Sequence, residues 1–161
     1  MMKKILLMTM AGVFLLAGCA QSTEPTSDAV MEETSDTEQE MKLQIKVNGE
    51  VLTATLEDNS SVQALIDLIG DGNLTLEMDD YSGFEKVGDL PESLPENNEE
   101  LNTDAGDLIL YQGKEFVIYY DQNSWSLTKL GHIDNISKEE LQELLGDGSV
   151  TVELSISGEE S

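Results

Sequence analysis

The chain has 161 residues, a size that fits one domain, and sets 8 lysines and arginines against 33 aspartates and glutamates for a net charge of −25. All of the cations are lysine; no arginine occurs anywhere in the sequence. So acidic a chain is repelled by phosphate backbones, whose affinity for proteins comes largely from Lys and Arg displacing counterions, and by anionic lipid headgroups, which excludes nucleic acid as a partner. Cationic partners, metal ions and peptides with basic flanks stay open, and the acidity by itself keeps an exported domain soluble and monomeric.

Met1-Met2-Lys3-Lys4 reads as a basic n-region, and Ile5 to Leu16 is an apolar run of about 12 residues, against the ~20 needed to span a bilayer. Residues 1–18 are therefore predicted to be a signal peptide and not a transmembrane helix. Leu16-Ala17-Gly18-Cys19 resembles the bacterial lipobox, whose cysteine receives a diacylglyceryl group before cleavage ahead of it. With a single cysteine no internal disulfide can form, and lipidation of Cys19 accounts for that odd thiol. Two acyl chains hold a protein on a membrane where one is marginal, so the expected location is the cell membrane, lipid-anchored and facing the extracytoplasmic side. Residues 19–40 are rich in Ser, Thr, Glu, Asp and Gln with almost nothing to bury, and read as a disordered acidic linker.

Residues 41–157 read as the folded domain, about 115 residues and enough for one ordinary core. Lys42 to Val47 alternates polar and apolar, Asn48-Gly49 is a strong hairpin signal, and Val51 to Leu56 alternates again, which predicts a β-hairpin over 42–57. Ser60 with Gln63 has the spacing of a capping box. Val62, Leu65, Ile66 and Ile69 then share a helical face, and Gly70 is placed as a left-handed cap. Leu74, Leu76 and Met78 alternate in the strand that follows. Pro91 to Asn102, with two prolines and an acidic run, reads as an exposed excursion. Asp107–Tyr111, Phe116–Tyr120 and Ser126–Leu130 read as strands, with Gln112-Gly113-Lys114 a tight turn and Asp121–Ser124 a loop. Near the end, Ser137 and Glu140 match a second capping box, Leu141, Leu144 and Leu145 form a stripe, and Val150 to Leu154 mirrors Leu74 to Met78. Two helix–Gly-Asp-Gly–strand units thus lie 76 residues apart. They suggest two similar corners, each helix plugging one end of a barrel of six or seven strands.

Four blocks together, Asp80 to Pro91, Ala105 to Tyr111, Phe116 to Tyr120 and Ser124 to Ile133, resemble the bacterial cyclophilin-like domain family over residues 42–134. The resemblance implies a mainly β fold, a closed antiparallel cyclophilin-like β-barrel with two short capping helices. Cyclophilins proper isomerise X-Pro bonds around an arginine guanidinium that holds the prolyl carbonyl. This chain has none to carry over, and lysine, a compact point charge, does not reproduce the planar fork. The resemblance therefore argues against prolyl isomerase activity here.

Cyclophilins bind ligands on one face of the barrel, and the matching blocks bring Tyr81, Phe84, Glu85, Tyr111, Tyr119 and Trp125 toward such a face as ligand-binding candidates. Tyr and Trp join apolar area to a hydrogen-bonding edge. The bland alternative is that these aromatics pack in the core or at its rim. Tyr120 belongs to the same set, but neighbours in a strand face opposite ways, so at most one of Tyr119 and Tyr120 serves a given site. His132 is the only histidine, and no Ser or Cys motif marks a nucleophile for it. Gly146-Asp147-Gly148 lacks the alternating ligand series of a calcium loop and reads as turn chemistry. No zinc spacing, phosphate loop or cofactor motif is present. The leading reading is a membrane-tethered, non-catalytic domain that binds a small molecule or peptide; a divergent prolyl isomerase acting on exported proteins and a passive surface lipoprotein stand as alternatives.

Overall fold

The computed structural model describes residues 41–158; the signal peptide, Cys19 and the linker read from the sequence lie outside the described residues. Those residues hold nine strands and two helices. Strand β1 (Lys42–Val47) and β2 (Glu50–Leu56) lead into α1 (Ser60–Ile69). Then come β3 (Leu74–Tyr81), β4 (Glu85–Asp89), β5 (Glu99–Thr103), β6 (Asp107–Tyr111), β7 (Glu115–Tyr119) and β8 (Asn123–Ile133). Helix α2 (Lys138–Leu145) and β9 (Val150–Ser157) complete the order.

The strands run β2-β1-β9-β3-β4-β7-β6-β8, and β8 pairs back onto β2, so eight antiparallel strands close a barrel while β5 adds to the free side of β8. Closure rests on a short seam, Ala54↔Ile133, Thr55↔His132 and Leu56↔Gly131, extended by Glu57 N donating to the Leu130 carbonyl and Asp134 N to that of Thr53, at 2.9 and 2.7 Å. The β1–β2 hairpin forms as its alternation dictates: Leu43, Ile45 and Val47 are buried, and Asn48 and Gly49 both take positive φ in the turn. At the opposite end of β1, Lys42 lies across from Ser157 of β9.

The inner side chains, among them Leu43, Ile45, Leu108, Leu110, Phe116, Ile118, Val152 and Leu154, form one core with Val62, Leu65 and Ile69 of α1 and Leu141 and Leu145 of α2. Each helix directly precedes one of two neighbouring antiparallel strands, β3 and β9, which pair Leu74↔Leu154 through Met78↔Val150. The helices therefore close opposite ends of the barrel, as the repeated corner suggested. The capping box of α2 is present, with Ser137 and Glu140 bonded reciprocally.

Several sequence expectations need correction. The N-cap of α1 is Asn59 and not Ser60: Asn59 Oδ1 accepts from Val62 N at 3.0 Å. Ser60 and Ser61 are engaged elsewhere, both accepting from Asn97 Nδ2 at 2.8 and 2.7 Å, while Ser61 donates to the Pro95 carbonyl. Gly70 caps α1 with φ 57 and ψ −145, a region reserved for glycine but outside the left-handed helical basin. The Pro91–Asn102 excursion is only partly one. Leu90 and Leu94 are buried, Leu94 N donates to the Gly113 carbonyl at 2.7 Å, and Glu99–Thr103 pairs with β8 from Glu99↔Leu127 to Thr103↔Asn123. Asn123 and Ser124, assigned to a loop, are the first two residues of β8.

Lys86 is fully buried at the α2 end of the barrel. Its Nζ donates to Asp80 Oδ1 at 3.0 Å and to the carbonyls of Gly146 and Gly148 at 2.8 and 2.7 Å, which uses all three ammonium protons. Tyr120, pointing inward, donates its hydroxyl to the same Asp80 oxygen, and Lys86 Nζ lies 5.8 Å from the Tyr120 ring centroid.

Candidate functional site

On β7 the side chains alternate between the barrel interior, where Phe116 and Ile118 lie, and the outer face, which carries Glu115, Val117 and Tyr119. Cross-strand register extends that outer face: Glu85↔Tyr119 and Val87↔Val117 on β4, Tyr111↔Glu115 and Ile109↔Val117 on β6. Ile109, Val117, Tyr119 and Leu127 are buried there as a second apolar cluster, joined by Phe84, Val87, Tyr111 and Leu101 of β5. A cluster buried on the outside of a barrel needs a cover, and β5 with the first half of β8 supplies part of it.

What remains uncovered is a concavity of about 330 Å³, and Tyr81, Phe84, Glu85, Tyr111, Tyr119 and Trp125 all line it. Tyr120 does not; its side chain belongs to the interior core. Sequence reasoning missed the floor, formed by Val87, Val117 and Leu127, and two polar members, Glu115 and Asn123. The signal for Val117 was in the alternation: a residue two before Tyr119 in a strand shares its face.

The walls are ordered by ring packing. Phe84 stacks on Tyr119 with centroids 6.0 Å apart, and Tyr81 meets Phe84 edge-on at 6.1 Å. The tight turn after Tyr81, where Ser82 and Gly83 both take positive φ, turns the chain back so that Tyr81 and Phe84 flank the same opening. Tyr81 and Trp125 form its rim, 59% and 60% exposed, and large exposed aromatics beside a cavity are where surface apolar area collects for contact with something else.

The floor carries one buried charge. Glu85 is 9% exposed; burial pushes its carboxyl up, against the Tyr119 hydrogen bond that lowers it, and the nearby Glu115 adds to the rise. Tyr119 is driven well above the usual phenol range, first by burial and then by its bond to Glu85. Asn123 Nδ2 donates to the Tyr119 hydroxyl at 3.2 Å. The cavity thus offers aromatic faces, an apolar floor and two carboxylates, and no lysine lines it.

A family model described as the cyclophilin-like family matches residues 45–156. The chain belongs to the cyclophilin-like family. Among solved structures, this cyclophilin-like domain is similar to a hypothetical protein from Archaeoglobus fulgidus determined in solution, with 15% identity over 71% of this chain and 93% of the other, at a TM-score of 0.49. No curated protein matches the chain. Among the described residues, no group of three or more His, Cys, Asp or Glu side chains is set to hold a metal ion.

The cyclophilin-like barrel also has a polar knot on its β6–β8 side. His132 Nδ1 lies 2.9 Å from Asp107 Oδ1, Lys129 Nζ 3.0 Å from the same oxygen, and Asp104 N donates to Asp107 Oδ2 at 2.9 Å. Burial alone would raise the Asp107 carboxyl, but the Asp104 amide, His132 and Lys129 together hold it below the ordinary carboxylate range. A carboxylate with a depressed folded value stabilises the fold above its unfolded value, and that contribution is lost as pH falls through the folded one. Denaturant midpoints are accordingly expected to fall on acidification below about pH 4, and Asp107→Asn to cost about 1–2 kcal/mol at pH 7 while flattening that decline. Equal pH slopes for parent and variant would remove Asp107 from the account.

Proposed function

We propose that this chain is a lipid-anchored extracytoplasmic protein whose cyclophilin-like domain binds a small molecule or peptide in the aromatic cavity and does not isomerise prolyl bonds. The observation that carries this reading is the convergence of six aromatic and acidic side chains from β3, β4, β6, β7, β8 and the β3–β4 turn on one concavity. A cavity of about 330 Å³ lies at the small end of the range for ligand sites, ~300–1,000 Å³, and suits a compact molecule or one side chain of a peptide. Against isomerase chemistry stands the missing arginine. No cation lines the cavity to hold a prolyl carbonyl, and the single lysine of β4, Lys86, is buried on the opposite face of that strand with its protons already bonded. The anchor rests on the leader and on Cys19.

One set of measurements on the full chain tests both halves. Thermal shift against metabolite and peptide sets is expected to find a ligand that raises stability by about 2–3 kcal/mol at a hundredfold excess over its Kd, with the gain lost in Trp125→Ala. Proline-peptide isomerisation is expected to show no acceleration, and the mature protein to carry acyl mass that Cys19→Ala removes. Rapid isomerisation abolished by Tyr111→Ala or Trp125→Ala, or an unacylated cytosolic protein, would overturn the reading.

A further inference from the structure

The cavity's chemistry narrows what it takes. Its walls are π faces, Tyr81, Phe84, Tyr119 and Trp125 among them, and its charges are the carboxylates of Glu85 and Glu115. No lysine lines the cavity to neutralise those carboxylates; Lys86 is sealed in the barrel interior, Lys129 pairs with Asp107, and Lys138 with Asp121 at 2.6 Å. An anionic ligand would meet two like charges in a partly desolvated cleft, and a neutral apolar ligand would leave Glu85 buried without a counter-ion. A positively charged organic group satisfies both features at once, since ring faces carry a negative quadrupole and attract ammonium groups within about 6 Å.

We propose that the cavity recognises an alkylammonium group, held between the aromatic walls with its charge directed at Glu85 and Glu115. This deepens the binding reading above and rests on it. Three further observations agree. Glu85 is nine-tenths buried, lies across from Tyr119 in the sheet and lines the cavity, so its carboxylate is presented to whatever enters. Burial and Glu115 both disfavour its charged form, which is the arrangement a bound cation relieves. The chain's net charge of −25 raises the local concentration of cations around the opening.

Trp125, the single tryptophan of the chain, stands at the rim and reports occupancy by fluorescence. The probes are choline, its neutral isostere 3,3-dimethylbutanol, the zwitterion glycine betaine, and a short peptide with one lysine, each titrated into the full chain at constant ionic strength. Choline or the lysine peptide is expected to bind at least about tenfold more tightly than the isostere and more tightly than betaine, the size of one to two cation–π contacts beside a carboxylate. Tighter binding by choline assigns a free small alkylammonium compound as the ligand source, and tighter binding by the peptide assigns a lysine side chain.

Glu85→Gln is expected to erase that preference without lowering the melting temperature, because it removes a carboxylate that burial disfavours. Tyr81→Ala, a change at an exposed position, is expected to weaken both cationic probes at unchanged stability. Equal binding of choline and the isostere would overturn the cation assignment while leaving the cavity a binding site. No change in Trp125 fluorescence or melting temperature with any probe would overturn the cation assignment, and the broader metabolite screen then decides the binding reading separately.

Discussion

Gly131→Ala is expected to open the barrel. A Cβ at that position would lie 2.3 Å from the Thr55 carbonyl oxygen and 3.2 Å from Leu56 Cα. Both neighbours are backbone, and both belong to the three-pair seam through which β2 and β8 close the sheet. A side-chain neighbour could turn away, but a carbonyl in a ladder moves only by giving up its register. Forced overpacking of this kind costs ~3 kcal/mol or more, a fall in melting temperature on the order of 10 °C for a domain of this size. Hydrogen exchange is expected to locate the damage, with the amides of Glu57 and Asp134, which donate across that seam, losing protection before those of β1 and β9. Gly72→Ala is the control, since the nearest atom to its added Cβ is 3.9 Å away. A Gly131→Ala protein that melts with the parent would mean that the seam yields freely.

The second large effect is expected at Lys86. Lys86→Met keeps most of the side chain's volume but removes the donor to three oxygens, leaving the Gly146 and Gly148 carbonyls without their partner just beyond α2. An unsatisfied buried acceptor costs about 1–3 kcal/mol, so chemical unfolding is expected to show a loss of about 2–4 kcal/mol. Asp80→Asn leaves a buried ammonium with a weakened counter-ion, a different fault in the same cluster. Because Tyr120, Asp80 and Lys86 act together, the double variant is expected to cost less than the two single losses added. Strict additivity would mean that the contacts are independent.

Lys86 also shows where sequence reading stops. In Glu85-Lys86-Val87 a charged residue stands on both faces of β4, and pattern alone gives no way to decide which side is buried. Register decides it: pairing with Ile118 turns Lys86 inward, and pairing with Tyr119 turns Glu85 toward the cavity. The β1–β2 hairpin, by contrast, was legible in full, because alternation and the Asn48-Gly49 turn both act within 16 residues. The second helix was legible for the same local reason, its capping box needing only Ser137 and Glu140.

Helix α1 was located correctly but its cap was read one residue late, since Asn59, Ser60 and Ser61 are all competent caps and the choice falls to distant partners, Asn97 and Pro95. Strand β5 was invisible. Glu99-Glu100-Leu101-Asn102-Thr103 has a single large apolar residue, and what makes it a strand is the edge of β8 beside it. The aromatic members of the cavity were legible as a set through the family resemblance, whereas Glu115 and Asn123, which sit at strand ends as ordinary polar residues, were not.

The facing of Lys42 and Ser157 across β1 and β9 gives the domain two distinct poles. Chain enters and leaves at one of them, while the Tyr81–Phe84 turn lies beyond the far end of β3, where β9 begins. Gly158 lies against Met41, so a circular permutation joining those two ends of the described domain needs only a short linker.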